Sequence, residues 1–230
     1  MSNGTADDVR WIEVSPERLA TWLESFAQRH GNVAVTAEPA VVTYRAEDGA
    51  VAECHVPFPP LPQGAGQAAD TIAGSAERIS AHARSARTVG VLLVRLGGYA
   101  AGVFTGPEAR LAASKVGSRL VHGRSAAGGT SQQRFARRRE KQASEALGAA
   151  TNTATAVFAP YAGKLDAVVL GGDRRAVAGL RDDPRLQPYL KLAVDRFLTV
   201  PDPRLAVLRS APRQFRAIRI RLTGPQPPAA

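Results

Sequence analysis

The sequence predicts an α/β protein (α+β in its layout), in which a small helix-plus-β-meander unit precedes a mixed sheet with flanking helices. From Val89 onward strands and helices interleave, which is typical of a mixed sheet with helices packed against it. In the first quarter of the chain, Asp48-Gly49 separates two short strand-like runs and indicates a hairpin. Between these regions lies a Pro- and Gly-rich run, Pro57 to Gly66, that can continue neither a helix nor a central strand.

Residues 1–60 are predicted as the small α+β unit, and residues 57–69 as a linker. Ser15-Pro16 is a typical helix start, and apolar residues then recur at helical spacing until Gly31. Three strand-like runs follow: Val33–Ala37, Ala40–Ala46 and Ala50–Val56. Both tryptophans, Trp11 and Trp22, fall in this unit, and we interpret them as core residues rather than base-stacking ones.

Residues 70–223 are predicted as the main domain, and residues 224–230 as a disordered tail. Its predicted strands are Val89–Leu96, Tyr99–Thr105, Leu111–Ala113 with Val116–His122, Asp166–Leu170, Phe197–Val200 and Gln214–Leu222. Its predicted helices lie within Asp70–Arg87, Gln132–Phe158, the segment ending at Leu180, and Pro203–Ser210. In the last strand, apolar residues alternate with Arg219 and Arg221, which predicts one apolar and one basic face.

Composition favours a polyanionic partner. The chain has 230 residues, a formal net charge of +10 and a pI near 10.7. An Arg-rich composition without a binding role is the alternative interpretation.

The single cysteine, Cys54, excludes an intrachain disulfide and suits a reducing cytosol. We expect a cytoplasmic protein, because the first residues do not form a signal peptide and no apolar run approaches the ~20 residues of a membrane span.

The central stretch combines a glycine-rich loop, Gly123 to Ser131, with a strongly basic helix start. Five cations fall in the first turns of that helix: Arg134, Arg137, Arg138, Arg139 and Lys141. Cations at a helix N-terminus oppose the helix dipole, so this placement indicates an external anion such as an RNA phosphate. The glycine-rich loop itself holds no group that titrates near neutrality.

Other kinds of site fit the sequence poorly. The loop has the length of a phosphate-binding P-loop, but Gly129 stands where the lysine is needed. Nothing in the spacing links Ser131, His122 and Asp173 into a hydrolase triad, and the nucleophile-elbow motif is missing. The histidines show no metal-ligand spacing. We therefore predict neither a metal nor another cofactor.

At Gly129-Thr130-Ser131-Gln132, continued by Gln133 and Arg134, the sequence resembles the actinobacterial Vms-like release factor (VLRF) family of peptidyl-tRNA hydrolases. That family is related to the catalytic middle domain of archaeal and eukaryotic class I peptide-chain release factors. The resemblance runs from about Val89 to Leu222 and includes Val91 to Tyr99 and Lys115 to Arg119. It implies an RNase-H-like catalytic domain. The Gly-Gly-Gln triplet of those release factors is interrupted here, because Thr130 and Ser131 separate the glycines from Gln132.

The resemblance also implies a function: metal-independent hydrolysis of the peptidyl-tRNA ester during ribosome rescue and ribosome-associated quality control. Gln132 would position the water, Gly128 and Gly129 would give the loop its reach, and Thr130, Ser131 and Gln133 would shape it. The five cations would hold phosphates of ribosomal RNA or peptidyl-tRNA on the large ribosomal subunit, with His122 and Arg124 as further candidates. Two alternatives stay open: a non-catalytic RNA- or ribosome-binding module, and an endonuclease that cuts the CCA end of tRNA.

Overall fold

The computed structural model describes residues 9–63, 71–95, 97–118 and 131–225, with the backbone alone at residues 131–140 and 143. Its strands are β1 Arg10–Val14, β2 Val33–Ala37, β3 Val41–Ala46, β4 Val51–His55, β5 Val89–Arg95, β6 Gly98–Thr105, β7 Arg110–Ser118, β8 Ala167–Gly172, β9 Ala193–Leu198 and β10 Ile218–Thr223. Its α-helices are α1 Leu19–His30, α2 Ile72–Arg84, α3 Ser131–Phe158, α4 Arg174–Ala178, α5 Gln187–Leu190 and α6 Leu205–Phe215. The chain forms two compact units: unit 1 (residues 1–85 and 216–230) and unit 2 (residues 86–215).

Unit 1 is a two-layer α+β sandwich. Its antiparallel sheet has the order β1-β10-β4-β3-β2. The buried side chains of α1 and α2 share one core with the inward-facing residues of the sheet, such as Tyr44, Ile218 and Ile220. The Tyr44 hydroxyl lies 2.8 Å from the Ser75 hydroxyl of α2, inside that core. The predicted alternation in β10 is confirmed, since Arg219 and Arg221 lie on the opposite face of the sheet.

Unit 2 is a three-layer α/β/α sandwich around a mixed sheet of order β7-β6-β5-β8-β9. Within it, β5, β8 and β9 are parallel, and β6 is antiparallel to both of its neighbours. On one face, α3 packs over residues such as Leu92 and Val103. On the other face, Leu208 and Phe215 of α6 pack near Gly102 and against Phe104. This strand order is the RNase-H-like arrangement, so the predicted fold class is confirmed.

Most predicted elements are found within a few residues of their predicted bounds, with four differences. β1 and α5 were not predicted. β7 is one continuous strand rather than two segments, and it ends at Ser118 in the described part of the chain. α6 continues to Phe215, beyond the predicted end, because the buried Phe215 ring packs on Phe104 with 5.8 Å between the ring centroids.

The compact units divide the chain differently from the predicted domains. The predicted division placed residues 70–223 in one domain after a 57–69 linker, whereas α2 and β10 belong to unit 1. The reason is tertiary: β10 fills the gap between β1 and β4, and α2 packs on α1. Unit 2 is therefore inserted between two segments of unit 1. Of the predicted tail, only Gly224 and Pro225 lie among the described residues.

Candidate functional site

The predicted site falls on α3 and on the segment before it. His122, Arg124, Gly128, Gly129 and Thr130 lie outside the described residues. Seven predicted residues lie in the first turns of α3, where the backbone alone is described: Ser131, Gln132, Gln133, Arg134, Arg137, Arg138 and Arg139. Lys141 is exposed on the same helix. The helix itself confirms the segment predicted as Gln132–Phe158, while the roles of these side chains stay predictions.

The C-terminal half of α3 is anchored in the core of unit 2. Ala150, Ala154 and Phe158 are almost completely buried. A Cβ atom on Gly90 of β5 would lie 3.2 Å from the Phe158 ring, so the absence of a side chain at Gly90 lets the helix approach the sheet closely. The Phe158 ring also packs edge-on against Tyr189, with 5.3 Å between ring centroids.

The N-terminal half of α3 extends away from that anchor. The helix has 28 residues, a length of about 42 Å, whereas the eight-residue β6 beneath it spans about 27 Å. None of the described side chains between Lys141 and Ala149 is fully buried, Leu147 is partly buried against the core, and complete burial begins at Ala150. At 1.5 Å per residue, Gln132 lies about 27 Å along the helix axis from Ala150. The helix therefore forms a stem that carries the predicted site well away from its anchor.

A short loop after α4 also contacts the anchored half of the stem. The Arg185 Nη1 atom donates a 2.6 Å hydrogen bond to Asn152 Oδ1 of α3, and its Nε and Nη2 atoms both donate to the Asp183 carboxylate. Hydrogen bonds from Arg185, with a smaller contribution from Thr151 of α3, lower the pKa of Asp183 to about 2. Asp183 is therefore ionised at neutral pH and holds Arg185 in place on the helix.

Ser118, the last described residue before α3, lies at the edge of the sheet where most strands end. β7, β5, β8 and β9 run in one direction, so Ser118 lies at the same edge as the carboxyl ends of the other three strands. Ligands of open α/β sheets commonly bind at this edge. Two arginines are held there: Arg95 donates a 2.8 Å hydrogen bond to the Val200 carbonyl, and the Arg174 guanidinium lies 4.4 Å from the centre of the Phe197 ring.

The positive charge of the protein is concentrated in unit 2. This unit contains 21 of the 30 lysines and arginines but only nine of the 20 aspartates and glutamates, a formal charge of +12. Unit 1 contains the remaining nine lysines and arginines and the remaining eleven aspartates and glutamates, a formal charge of −2. The unit that carries α3 is thus the one suited to a polyanion.

A second set of cations was missed in the sequence. Arg209 and Arg213 lie one turn apart on the exposed side of α6, close to the exposed Arg204, and α6 contains no acidic residue. Their four-residue spacing beside the buried Leu208 and Ala211 was the available signal. Because α3 and α6 cover opposite faces of the sheet, these arginines form a second basic surface rather than an extension of the stem.

Alternative chemistry finds no support in the described part of the chain. The Asp173 carboxylate caps α4, accepting hydrogen bonds from the Arg175 and Ala176 backbone N–H groups at 2.7 and 3.1 Å, which is a structural role. Cys54 and His55 are neighbours on β4, so Cys54 points into the core and His55 to the opposite face, and they cannot share a metal. Among the described residues, no three His, Cys, Asp or Glu side chains cluster closely enough for a metal site. Nor does any helix described have the length and apolar character needed to cross a membrane.

The sheet order and the long basic stem define an RNase-H-like α/β protein that projects a cationic helix. Residues 87–221, more than half of the chain, match the family of Actinobacteria/chloroflexi VLRF1 release factors. The chain belongs to this family. The match includes all of α3 and the whole of the glycine-rich loop before it.

Three solved structures align with most of this chain at low sequence identity. The chain aligns with an archaeal translation termination factor, aRF1, with a TM-score of 0.43 and 16% identity, covering 90% of this chain and 64% of that one. An archaeal protein aligns with a TM-score of 0.39 and 14% identity, at the same coverages of 90% and 64%. The Vms1 mitochondrial localization core aligns with a TM-score of 0.38 and 12% identity, covering 85% and 77%. The chain thus spans less than two thirds of the first two structures. No curated protein matches it.

Proposed function

We propose that this protein is a peptidyl-tRNA hydrolase that frees stalled nascent chains from tRNA on the large ribosomal subunit. The observation that carries the proposal is the family match over residues 87–221, which contains Gly129, Thr130, Ser131 and Gln132 together with the basic helix behind them. Release from a stalled ribosome requires hydrolysis of the ester between the nascent peptide and the tRNA. The predicted site contains the groups that such a reaction needs from a protein.

The chemistry is acyl transfer to water through a tetrahedral oxyanion. The segment from Gly128 to Gln133 contains no strong base, so its contribution is to position a water and to donate hydrogen bonds. A glutamine amide both donates and accepts without changing its charge, which suits Gln132 to hold that water beside the ester. Glycines allow the backbone to enter a narrow pocket built by ribosomal RNA. The proposed reaction needs no metal.

The stem supports delivery of this loop to a distant pocket. Its anchored end lies in the core of unit 2, and its cationic end lies about 27 Å further along the helix axis. The cations Arg134, Arg137, Arg138, Arg139 and Lys141 would bind phosphates of ribosomal RNA or peptidyl-tRNA around the entrance of that pocket. The +12 charge of unit 2 favours the same partner.

Single-turnover release from peptidyl-tRNA bound to isolated large subunits tests the catalytic role. We expect Gln132→Ala to slow release by roughly 100-fold or more, the usual effect of removing one group that stabilises a transition state. Gln142→Ala, ten residues further along the same helix, is the matched control and should release peptide at the parental rate. Equal rates for Gln132→Ala and the parent would remove Gln132 from the mechanism.

The salt dependence of subunit binding tests the stem. Each phosphate contact contributes about 0.7–0.9 to the slope of log affinity against log salt. Replacing Arg137 and Arg138 with Glu should therefore weaken binding and make the slope shallower by roughly 1.4–1.8. The same double charge reversal at Arg209 and Arg213, on the other side of unit 2, controls for net charge. Equal losses from both pairs would contradict a specific role of the stem.

The RNA product separates hydrolysis from the two alternatives. An ester hydrolase leaves the CCA terminus of the tRNA whole and releases the peptide, so the tRNA should keep its length on a denaturing gel. A shortened tRNA would instead identify an endonuclease. Binding without release by the unmodified protein would identify a non-catalytic module.

A further inference from the structure

The sheet of unit 1 has a second face that α1 and α2 do not cover. It is formed by the outward residues of β1, β10, β4 and β3, and no described residue on it is buried. Trp11 of β1 lies on this face and is 44% exposed, so its interpretation as a core residue is wrong. An exposed indole on a regular strand is unusual, because it forgoes the burial that stabilises large apolar side chains.

Two planar side chains, those of Arg219 and His55, lie against that indole. The Arg219 guanidinium carbon lies 4.5 Å from the centre of the Trp11 ring, a cation–π contact. The ring centroids of Trp11 and His55 are 5.0 Å apart. Arg219 pairs directly with His55 across the β10–β4 ladder, so the group is held by the sheet rather than by a loop. Indole, imidazole and guanidinium planes are the surfaces on which proteins stack unpaired RNA bases.

Most side chains around this cluster are polar, and the apolar ones, such as Val41 opposite His55 and Val51 opposite Arg45, are small. Glu53 accepts a 2.8 Å hydrogen bond from Arg221, and Thr43 and the exposed Arg45 lie beyond them on β3. A protein-docking surface usually offers a contiguous apolar patch at its centre. A single aromatic cluster among hydroxyl, guanidinium and carboxylate groups instead resembles a site that stacks a base and hydrogen-bonds to its edges.

We propose that this face binds single-stranded RNA by stacking an unpaired base against Trp11 and Arg219. Charge is complementary locally: the face carries Arg45, Arg219 and Arg221 against Glu13 and Glu53, and the Arg221–Glu53 pair leaves two arginines against one carboxylate. This excess is small and unit 1 as a whole has a charge of −2. Base stacking, rather than phosphate neutralisation, therefore supplies most of the binding. The site is separate from the proposed ester hydrolysis and would give the protein a second contact with RNA.

Tryptophan fluorescence reports on this site directly. The protein has two tryptophans, so in a full-length Trp22→Phe variant the emission comes from Trp11 alone. If that variant does not fold, Trp22→Tyr replaces it, with excitation where only tryptophan absorbs. The probes are single-stranded hexa-adenylate and a hexamer of the same backbone without bases. We expect hexa-adenylate to quench Trp11, with a weak salt dependence, and the abasic hexamer to leave it unchanged.

Substitution of Arg219 completes the test. Arg219→Ala should weaken the quenching titration on the order of tenfold, the usual effect of losing one stacking partner. Arg219→Lys keeps the charge but not the plane and should weaken it similarly. Arg209→Ala, which removes an exposed arginine from unit 2, is the matched control and should leave the titration unchanged. All variants are first compared with the parent by thermal unfolding.

Three outcomes would overturn the proposal: no quenching by hexa-adenylate, equal quenching by the abasic hexamer, or a titration that Arg219→Lys leaves unchanged. If Trp11→Ala abolished binding to a ribosomal protein while RNA never quenched Trp11, the face would be a protein-docking surface and the proposal would fail. Gln132→Ala should retain full quenching, so the failure of the proposed hydrolysis and the failure of this site are observed separately.

Discussion

Whether α3 is one continuous helix can be tested by substituting two glycines, one in the helix and one in a turn with positive φ. Gly148 lies inside α3, between the anchored half and the projecting half, and Gly106 lies in the turn between β6 and β7. A Cβ atom would meet no described atom within 4 Å at either position. Gly106 has a φ of +77°, whereas Gly148 has helical backbone. Alanine at the two sites should therefore have opposite effects on the free energy of unfolding.

The magnitudes follow from the backbone alone. Alanine is favoured over glycine in a helix interior by about 0.8–1 kcal/mol, so Gly148→Ala should stabilise unit 2 by about that amount. An alanine held at positive φ costs about 1–2 kcal/mol, so Gly106→Ala should destabilise it. For a urea m-value of about 2 kcal/mol/M, the unfolding midpoint would rise by roughly 0.4–0.5 M in the first variant and fall by about 0.5–1 M in the second.

Urea unfolding, followed by far-UV circular dichroism, measures both shifts, and equal m-values across the variants show that the midpoints report stability. If Gly106→Ala behaves as expected while Gly148→Ala lowers the midpoint, then α3 is not a continuous helix at Gly148 in solution. The stem could not then hold its basic end at a fixed distance from the anchor. That result would refute the geometric basis of the proposed delivery.

Three further predictions concern the anchor and the core. Phe158→Ala should destabilise the protein by about 3–5 kcal/mol, because the ring is 1% exposed and the neighbouring Gly90 has no side chain that could fill the cavity left behind. The exposed Leu205→Ala is the control, and equal losses would contradict the assigned packing. Hydrogen bonding lowers the pKa of Asp183 from its ordinary 3.8 to about 2, so its ionised form stabilises the folded state above pH 3.8 and this contribution disappears as the pH falls towards 2. The difference in Tm between the parent and Asp183→Asn should therefore be present at pH 5 and absent near pH 2; a constant difference would argue against this pKa. Burial raises the pKa of the Cys54 thiol, so a thiol reagent should label it only after unfolding, and rapid labelling of the folded protein would show that the site opens.

Local sequence patterns predicted the elements whose structure depends on their own residues. β2 has the predicted bounds, and α3 begins one residue before its predicted start and ends at the predicted residue. In both, the period of the apolar residues matches the geometry of the element. The basic start of α3 could also be predicted, because the order of residues in the sequence shows which charges lie at the end of a predicted helix. The anchoring of its other half was not, since it depends on Gly90, Tyr189 and Arg185, which are remote in sequence.

Local sequence patterns could not predict which strands or helices contact each other when they are distant in the sequence. β1 has only five residues, and its pairing partner β10 lies about 200 residues further along the chain, so no local signal marked it. The alternation in β10 predicted an apolar and a basic face but could not say which sheet the strand joins. The same limit applies to Trp11, whose place on the outer face follows from the register of β1 against β10. A core interpretation was reasonable for the residue type and wrong for the position.

The sequence by itself determined that this is a basic, folded α/β protein with a glycine-rich loop ahead of a long cationic helix. These properties depend on residue composition and on apolar periodicities of two and 3.6 residues. Both can be recognised within one segment, without knowledge of the segments it contacts. Only the tertiary structure decided that β10 belongs to unit 1, that the basic half of α3 projects beyond its anchor, and that an indole and a guanidinium stack on the sheet face opposite α1 and α2. Each of these depends on contacts between segments far apart in the chain, and such contacts form only when the whole core is assembled.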